Sequence, residues 1–126
     1  MILKKELPPC PVATIVGLIG NKWKLFIIRD LLTGSKRFGE LKKGIPEISQ
    51  KVLTQNLRAM EEDGIITRKV YPEVPPRVEY ELSDLGDTLR PIFDLMRAWG
   101  RNYQRLVHES AEQIARERVQ APDIAP

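Results

Sequence analysis

The sequence predicts a mainly helical fold with a small antiparallel β wing (α+β), and three observations carry this interpretation. A short helical pattern, a turn and a longer amphipathic pattern follow one another between residues 37 and 63. Two alternating segments joined by a proline-rich connection come next, and a long apolar repeat occupies the end of the chain. A helix pair, a two-stranded wing and flanking helices at both ends make a winged helix-turn-helix.

Composition limits the class of protein. With 126 residues the chain can form one domain with a real core, but not two ordinary domains. Its 42% hydrophobic and 29% charged residues are typical of a soluble globular protein, and its apolar runs are too short to cross a bilayer. We therefore expect a cytoplasmic protein without a membrane partner. A single cysteine excludes an intramolecular disulfide and a Cys-rich zinc site, and we expect neither a metal nor a cofactor.

The start of the chain predicts a flexible arm followed by two helices. Residues 1–9 are expected to be mobile. Pro11 suits the first position of a helix, with Cys10 as the flanking residue. A glycine-asparagine break separates this helix from a second one over residues 22–33, which is nearly apolar all round and therefore expected to be central.

The helix-turn-helix is predicted from the residues that follow. A short helix over 37–43 precedes a turn that Gly44 and Pro46 enforce. Ser49 is a good N-cap for the next helix, which runs to Asp63 and which Gly64 is expected to end. Its apolar stripe recurs with helical spacing at Leu53, Leu57 and Met60.

The other face of this second helix carries amide, hydroxyl and cationic side chains and none that is acidic. Such groups reach base edges and phosphates when a helix enters a DNA major groove. The face comprises Lys51, Thr54, Gln55 and Arg58, and Ser49 and Gln50 at the start of the helix complete the candidate DNA contacts. We expect Ser49 and Arg58 on phosphates and the others on base edges. The alternative is an ordinary amphipathic surface helix, so the neighbouring elements decide between the two.

A wing is predicted directly after this helix. The segments ITRKV (66–70) and VEYEL (78–82) alternate apolar and polar residues, as half-buried strands do. Their connection YPEVPPR (71–77) holds three prolines and is expected to project as a stiff loop. Candidate phosphate contacts flank the motif on both sides: Lys69 and Arg77 in the wing, and Lys36 and Arg37 at the flank of the first helix of the motif. The net charge of +3 permits a polyanionic partner without demonstrating one.

A long helix is predicted at the end of the chain, capped by Ser83 and kinked or restarted at Pro91. Its apolar residues form an a/d seam at Leu85, Leu89, Ile92, Met96, Trp99, Tyr103 and Leu106. Because a small domain cannot cover a helix of about 36 Å, we expect part of the seam to meet a second copy. The alternative is packing only against the chain's own first two helices. The domain is expected to span residues 10–114, with residues 115–126 disordered.

Six segments form an ordered set of motifs across the chain. They are Cys10-Pro11, GNKW (20–23), RFGEL (37–41), ISQKVLTQNLRAMEEDGIITR (48–68), PPRVEYELSDLG (75–86) and Leu89 through Trp99. Together they resemble the HxlR family of bacterial winged helix-turn-helix transcriptional regulators. The resemblance implies a dimeric DNA-binding regulator whose first and last helices make the dimer contact. It thereby adds Val12, Ile15 and Ile19 to the predicted interface.

Cys10 is the candidate for regulation through a thiol. The dipole of the following helix and Lys4 or Lys5 would favour its thiolate. Some members of the family that the chain resembles sense oxidants or electrophiles through a cysteine at this position. With no second cysteine, oxidation would join two copies or form a thiol adduct. The alternative is a partly buried cysteine that packs the first helix.

The sequence therefore predicts a regulator, expected to be a repressor, that binds a palindromic operator in double-stranded DNA as a homodimer. We expect an oxidant, an electrophile or a small-molecule effector to control it. One other function left open is a winged-helix module that docks on a partner protein. A thiol-dependent enzyme using Cys10 is a weaker rival, since no neighbouring base, catalytic set or phosphate loop is evident, and we expect no enzyme.

Overall fold

The computed structural model describes Leu3 and residues 5–120 of the chain. The chain divides into two compact units, Met1–Arg90 and Pro91–Pro126, which are described in turn. The elements of the first unit are α1 (Pro11–Ile19), α2 (Lys22–Leu31), β1 (Lys36–Arg37), α3 (Phe38–Gly44), α4 (Gln50–Glu62), β2 (Ile66–Tyr71), β3 (Arg77–Leu82) and α5 (Asp84–Asp87). The second unit consists of α6 (Arg90–Gln120) from its second residue onward. The assignment of residues 10–114 to a single domain stays a prediction.

The helices α1 and α2 begin where the sequence predicts. Pro11 lies in the first turn of α1, and Cys10, with extended backbone, is its N-cap. The side-chain oxygen of Asn21 caps α2 by accepting a hydrogen bond from the backbone N–H of Lys24 at 2.8 Å. Over the described residues, no single helix is long and apolar enough to cross a membrane. By length and composition α1 and α2 pass that test only as a pair, which is bent by 80° at the break between them.

The helices α3 and α4 form the predicted helix-turn-helix. Ser49 caps α4, because its Oγ accepts a hydrogen bond from the backbone N–H of Val52 at 3.1 Å. The connection between the helices is anchored by Ile45 and Ile48, both buried. Gly64 has a φ of 76° and ends α4 in the left-handed conformation that favours glycine, as predicted.

The sheet has three antiparallel strands in the order β1-β3-β2, so it contains one strand more than the predicted wing. Strand β1 pairs Lys36 with Tyr80 on one edge of β3, and β2 pairs Arg68 with the same tyrosine on the other edge. The sequence did not reveal β1 because two residues are too few to show an alternating pattern.

The core of the first unit is aliphatic and centres on α2 and α4. The predicted stripe of α4 is confirmed, since Leu53, Leu57 and Met60 are all buried. From α2, Ile27 and Ile28 are fully buried as well. Burying side chains of this size contributes about 1.5–3 kcal/mol each to stability. This packing fixes one face of α4 and leaves its opposite face to solvent.

The role of Ser83 differs from the prediction. Its hydroxyl accepts a hydrogen bond from the backbone N–H of Gly86 at 2.9 Å, so it caps the short helix α5 and not the long last helix. The same Oγ donates to the carbonyl oxygen of Gly64, 2.6 Å away, which ties the end of the wing to the end of α4. The long helix restarts at Arg90 with Pro91 in its first turn, where a missing N–H costs no hydrogen bond.

The second unit is a single continuous helix. At 31 residues, α6 is about 46 Å long. The helix continues through residues 115–120, which the sequence predicted to be disordered, so the predicted start of the tail is wrong by these six residues. Side-chain pairs one turn apart support the polar stretch, among them Arg105 with Glu109 at 2.8 Å and Gln113 with Glu117 at 3.2 Å. Residues 121–126 lie outside the described part of the chain.

Candidate nucleic-acid interface

The solvent face of α4 contains the residues that the sequence singled out. Ser49, Gln50, Lys51, Gln55 and Arg58 are exposed, and Thr54 is half-buried. Lys51, Thr54, Gln55 and Arg58 recur every three or four residues, so they lie on one side of the helix, away from the buried stripe, and Ser49 and Gln50 lie at its start. The side of α4 that carries amides and cations is therefore free to meet a partner.

The residues of this face differ in how their polar groups are used. Ser49 Oγ accepts the capping hydrogen bond, and Thr54 Oγ1 donates to the carbonyl oxygen of Gln50 at 2.8 Å. Within the described residues, the only other α4 side chain in a hydrogen bond is that of Asn56. The side chains of Gln50, Lys51 and Gln55 therefore keep all their polar groups for a partner.

Arg77 holds the base of the wing together. Its guanidinium lies 4.0 Å above the ring of Tyr71, its Nη2 is 3.2 Å from a carboxylate oxygen of Glu73, and its Nε is 3.6 Å from one of Glu79. The side chain is 29% exposed. The predicted phosphate contact would require Arg77 to leave part of this arrangement. Lys69, by contrast, is exposed on the neighbouring strand.

The two cations before α3 are placed differently from each other. Lys36 is half-buried in β1, and its Nζ is 3.5 Å from the carbonyl oxygen of Gly34. Arg37 is exposed at the N-cap of α3, where its backbone N–H donates to a carboxylate oxygen of Glu40 at 2.9 Å. The side chain of Arg37 is thus the better exposed of the two predicted phosphate contacts.

Arg68 and Tyr80 were missed as candidates by sequence reasoning. They face each other across β2 and β3, and both line a cleft beside α4 that also contains Arg58 and Glu61. Burial raises the pKa of Tyr80 above 10.0, with smaller and opposing effects of the nearby Arg68, Glu61 and Arg58 charges. A signal was present, because Arg68 shares the strand parity of Ile66, so a charged side chain lies on the same side of β2 as a buried core residue.

Cys10 is exposed at the start of α1. Lys5, which the sequence placed beside the thiol, forms an ion pair with the carboxylate of Asp63 at 2.7 Å instead. Lys4, the other cation considered there, lies outside the described residues. The alternative of a cysteine that packs the first helix is not supported, because the side chain is at the surface.

The predicted dimer residues fall into two groups. Ile19 is only 3% exposed, so it belongs to the core of the protomer and has little surface left for a second copy. Ile15 and Leu89 are half-buried. Surface-exposed members of the set are Val12 on α1 and Ile92, Met96, Trp99, Tyr103 and Leu106 on α6. Trp99 is 68% exposed and stacks on Tyr103 with ring centroids 5.5 Å apart.

Potential metal ligands do not cluster in the part of the chain that the structure describes. No group of three or more His, Cys, Asp or Glu side chains there is arranged to hold a metal ion. His108, the lone histidine, lies 3.1 Å from a carboxylate oxygen of Glu112 on the same helix face. This pairing of side chains four residues apart on α6 accounts for the histidine.

A helix-turn-helix, a three-stranded wing and an exposed amide-rich face on the second helix of the motif define a winged helix-turn-helix transcriptional regulator. The family model for the HxlR-like helix-turn-helix matches residues 18–108. The chain belongs to this family of DNA-binding regulators.

Three comparisons illustrate the relationship. The chain is similar to YtcD of Bacillus subtilis (strain 168), described as an HTH-type transcriptional regulator, with 46% identity over 117 residues and 93% of each chain covered. A crystal structure of YtcD has a TM-score of 0.73 and 49% identity, covering 76% of this chain and 98% of that one. The redox regulator HypR in its oxidized form has a TM-score of 0.71 and 45% identity, covering 74% and 96%.

Proposed function

We propose that the protein is a homodimeric repressor that inserts α4 of each protomer into successive major grooves of a palindromic operator. The observation that carries this proposal is the exposed face of α4, on which Gln50, Lys51 and Gln55 keep their polar groups free beside a rigidly packed core. Amide side chains pair with adenine edges, and lysine with guanine or phosphate. A pre-positioned helix of this chemistry is what direct readout requires.

The homodimer is supported by the apolar surface of α6. A row of aromatic and aliphatic side chains on this helix is exposed, which is unusual for a monomer because such a row attracts a partner of its own kind. Two copies related by a two-fold axis would bury identical rows against each other. Dimeric regulators of this class read two half-sites about 34–36 Å apart, one helical turn of DNA, so we expect that spacing for the two α4 helices.

Selection of bound fragments from the source genome, followed by footprinting, tests this function. The expected result is a pair of protected half-sites about 10–10.5 base pairs apart, related by a palindrome, with affinity that falls steeply as salt is raised. Repression then requires that the operator overlap a promoter, which a reporter gene checks. If the protein did not bind duplex DNA even at low salt, that result would instead favour a protein-interaction module.

A thiol signal through Cys10 is the second function that we propose. Its support is the exposure of the thiol at the start of α1 and the similarity to HypR, which is described as a redox regulator. As Cys10 is the only cysteine, oxidation would link two protomers or add a small thiol to each. The test is the fragment selection repeated with reduced and oxidised protein and with Cys10→Ser. Identical binding by both redox states would exclude the sensor and leave a small-molecule effector as the rival.

A further inference from the structure

A polar cleft of about 230 Å³ lies between α4 and the sheet. Its lining residues are Thr54, Leu57, Arg58, Glu61, Arg68 and Tyr80. Thr54 and Arg58 belong to the face of α4 proposed to meet DNA, whereas Arg68 and Tyr80 stand opposite each other on β2 and β3. The cleft therefore joins the recognition helix to the base of the wing.

The charge of this cleft is positive. It contains two guanidinium groups and one carboxylate. Among ion pairs of the described residues, the one that reaches into the cleft joins Arg68 Nε to a carboxylate oxygen of Glu61 at 3.8 Å, and both side chains are at least 40% exposed. A pair this long and this exposed contributes little. Arg68 can therefore exchange Glu61 for a stronger anionic partner at low cost.

We infer that this cleft binds a phosphate group, and that in the complex with DNA the occupant is a backbone phosphodiester beside the groove that α4 enters. The inference rests on the proposed DNA-binding function. Guanidinium groups bind phosphate oxygens through paired, charge-assisted hydrogen bonds. The phenol of Tyr80 has an ordinary pKa of about 10, which burial raises further, so it carries its proton and can donate a further hydrogen bond. Thr54 contributes shape only, since its hydroxyl already donates to Gln50.

This assignment gives Glu61 a definite role. Its carboxylate is the internal competitor for Arg68, and it must give way when a phosphate enters. Removing that charge should tighten DNA binding, whereas removing the arginine should weaken it. Opposite effects from two residues of one ion pair would not arise if the pair only stabilised the fold.

The experiment measures binding to a duplex selected by the wild-type protein, and to a random duplex, over a salt series. Arg68→Ala should weaken binding to both by about tenfold and reduce the slope of log K against log salt by about 0.9, the value for one phosphate contact. Arg68→Lys should restore the slope, and Glu61→Gln should strengthen binding. Arg116→Ala, which removes the same charge from α6, is the matched control. Thermal melting of each variant checks the fold.

Two further outcomes would overturn the inference. The first is an Arg68→Ala protein whose salt slope equals that of wild type, even if its affinity falls, because a structural role would lower affinity without releasing fewer ions. The second comes from titrating inorganic phosphate at constant ionic strength. Competition with DNA at roughly millimolar phosphate is expected for a single exposed site. Micromolar phosphate binding that leaves DNA affinity unchanged would assign the cleft to a free phosphate compound.

Failure of the proposed function looks different. In that case wild-type protein would not bind duplex DNA at low salt at all. If instead wild type binds and a change on α4 alters its base preference while Arg68→Ala behaves as wild type, only the phosphate site is wrong.

Discussion

The side chains on the solvent face of α4 use their polar groups in two ways. Ser49 and Thr54 use their hydroxyls on the backbone of the helix itself, so they shape the reading element. Gln50, Lys51 and Gln55 make no such bonds and remain available for bases. Helical spacing in the sequence already placed Lys51, Thr54 and Gln55 on one face. The sequence did not show which polar groups bond to the helix backbone and which stay free, since both hydroxyls and amides are able to contact DNA.

The clearest residue-scale prediction concerns Gln55. We expect Gln55→Ala to relax the preference at one or two operator bases by about 1–3 kcal/mol and to leave affinity for random DNA unchanged. A set of singly substituted operators, titrated with wild type and variant, measures this. Asn56→Ala is a poor control because Asn56 bonds to Asn21. Glu62→Ala, at the far end of the same helix, is a better one.

The raised pKa of Tyr80 predicts how the stability of the protein depends on pH. Because burial raises its folded-state pKa above the ordinary 10.0, the neutral phenol is favoured in the folded protein. The phenol contributes its full stabilisation at pH values below its pKa in the unfolded chain. That stabilisation is lost as the pH rises through its pKa in the folded protein. The melting temperature should thus fall as the pH rises above about 10, the ordinary pKa of tyrosine, and it should fall less in Tyr80→Phe.

Arg77 and Ile19 show where residue-level reading from sequence reaches its limit. Arg77, at the edge of the predicted wing, was expected to reach a DNA phosphate, and in the structure three nearby side chains engage it. Ile19 was expected at a surface and is buried. In both cases the sequence shows the residue type and the element that holds it, but not the residues around it. What decided the outcome was the neighbours that the fold brought in from other elements.

At the scale of elements, local signals located most boundaries. Proline in a first turn, side-chain caps and a left-handed glycine predicted the ends of α1, α2 and α4 because each acts within four residues. The exceptions involve contacts between distant segments. Strand β1 exists only because β3 offers an edge, and α5 forms where Ser83 meets the carbonyl oxygen of Gly64.

The close packing of α5 against the backbone before β2 predicts an effect on stability. A Cβ at Gly86 would collide with the backbone carbonyl of Ile65, and backbone cannot yield as a flexible side chain does. Gly86→Ala should therefore destabilise the protein by about 1–3 kcal/mol. Denaturant unfolding measures it. Gly39→Ala in α3 is the matched control, since nothing lies within 4 Å of its added methyl. Equal stability of the two variants would contradict the crowding.

At the scale of the whole molecule, the exposed apolar row of α6 predicts self-association. A charge placed in the row should separate the protomers, because burying an unpaired carboxylate is costly. Trp99→Glu should yield monomers in sedimentation velocity at concentrations where wild type is dimeric. Gln104→Glu adds the same charge at about 120° around the helix from the row, and it should remain dimeric. A wild-type protein that sediments as a monomer would exclude the proposed homodimer.

The architecture of the wing has a consequence for the thermodynamics of binding. Three prolines restrict the loop between β2 and β3, and Arg77 is braced by an aromatic ring and two carboxylates at its base. Little rotational freedom remains to be lost when this loop settles against a partner. Association through the wing should accordingly carry a small entropic penalty, and a mutation that frees Arg77 should make the entropy of binding less favourable even where the contacts made at the end are the same.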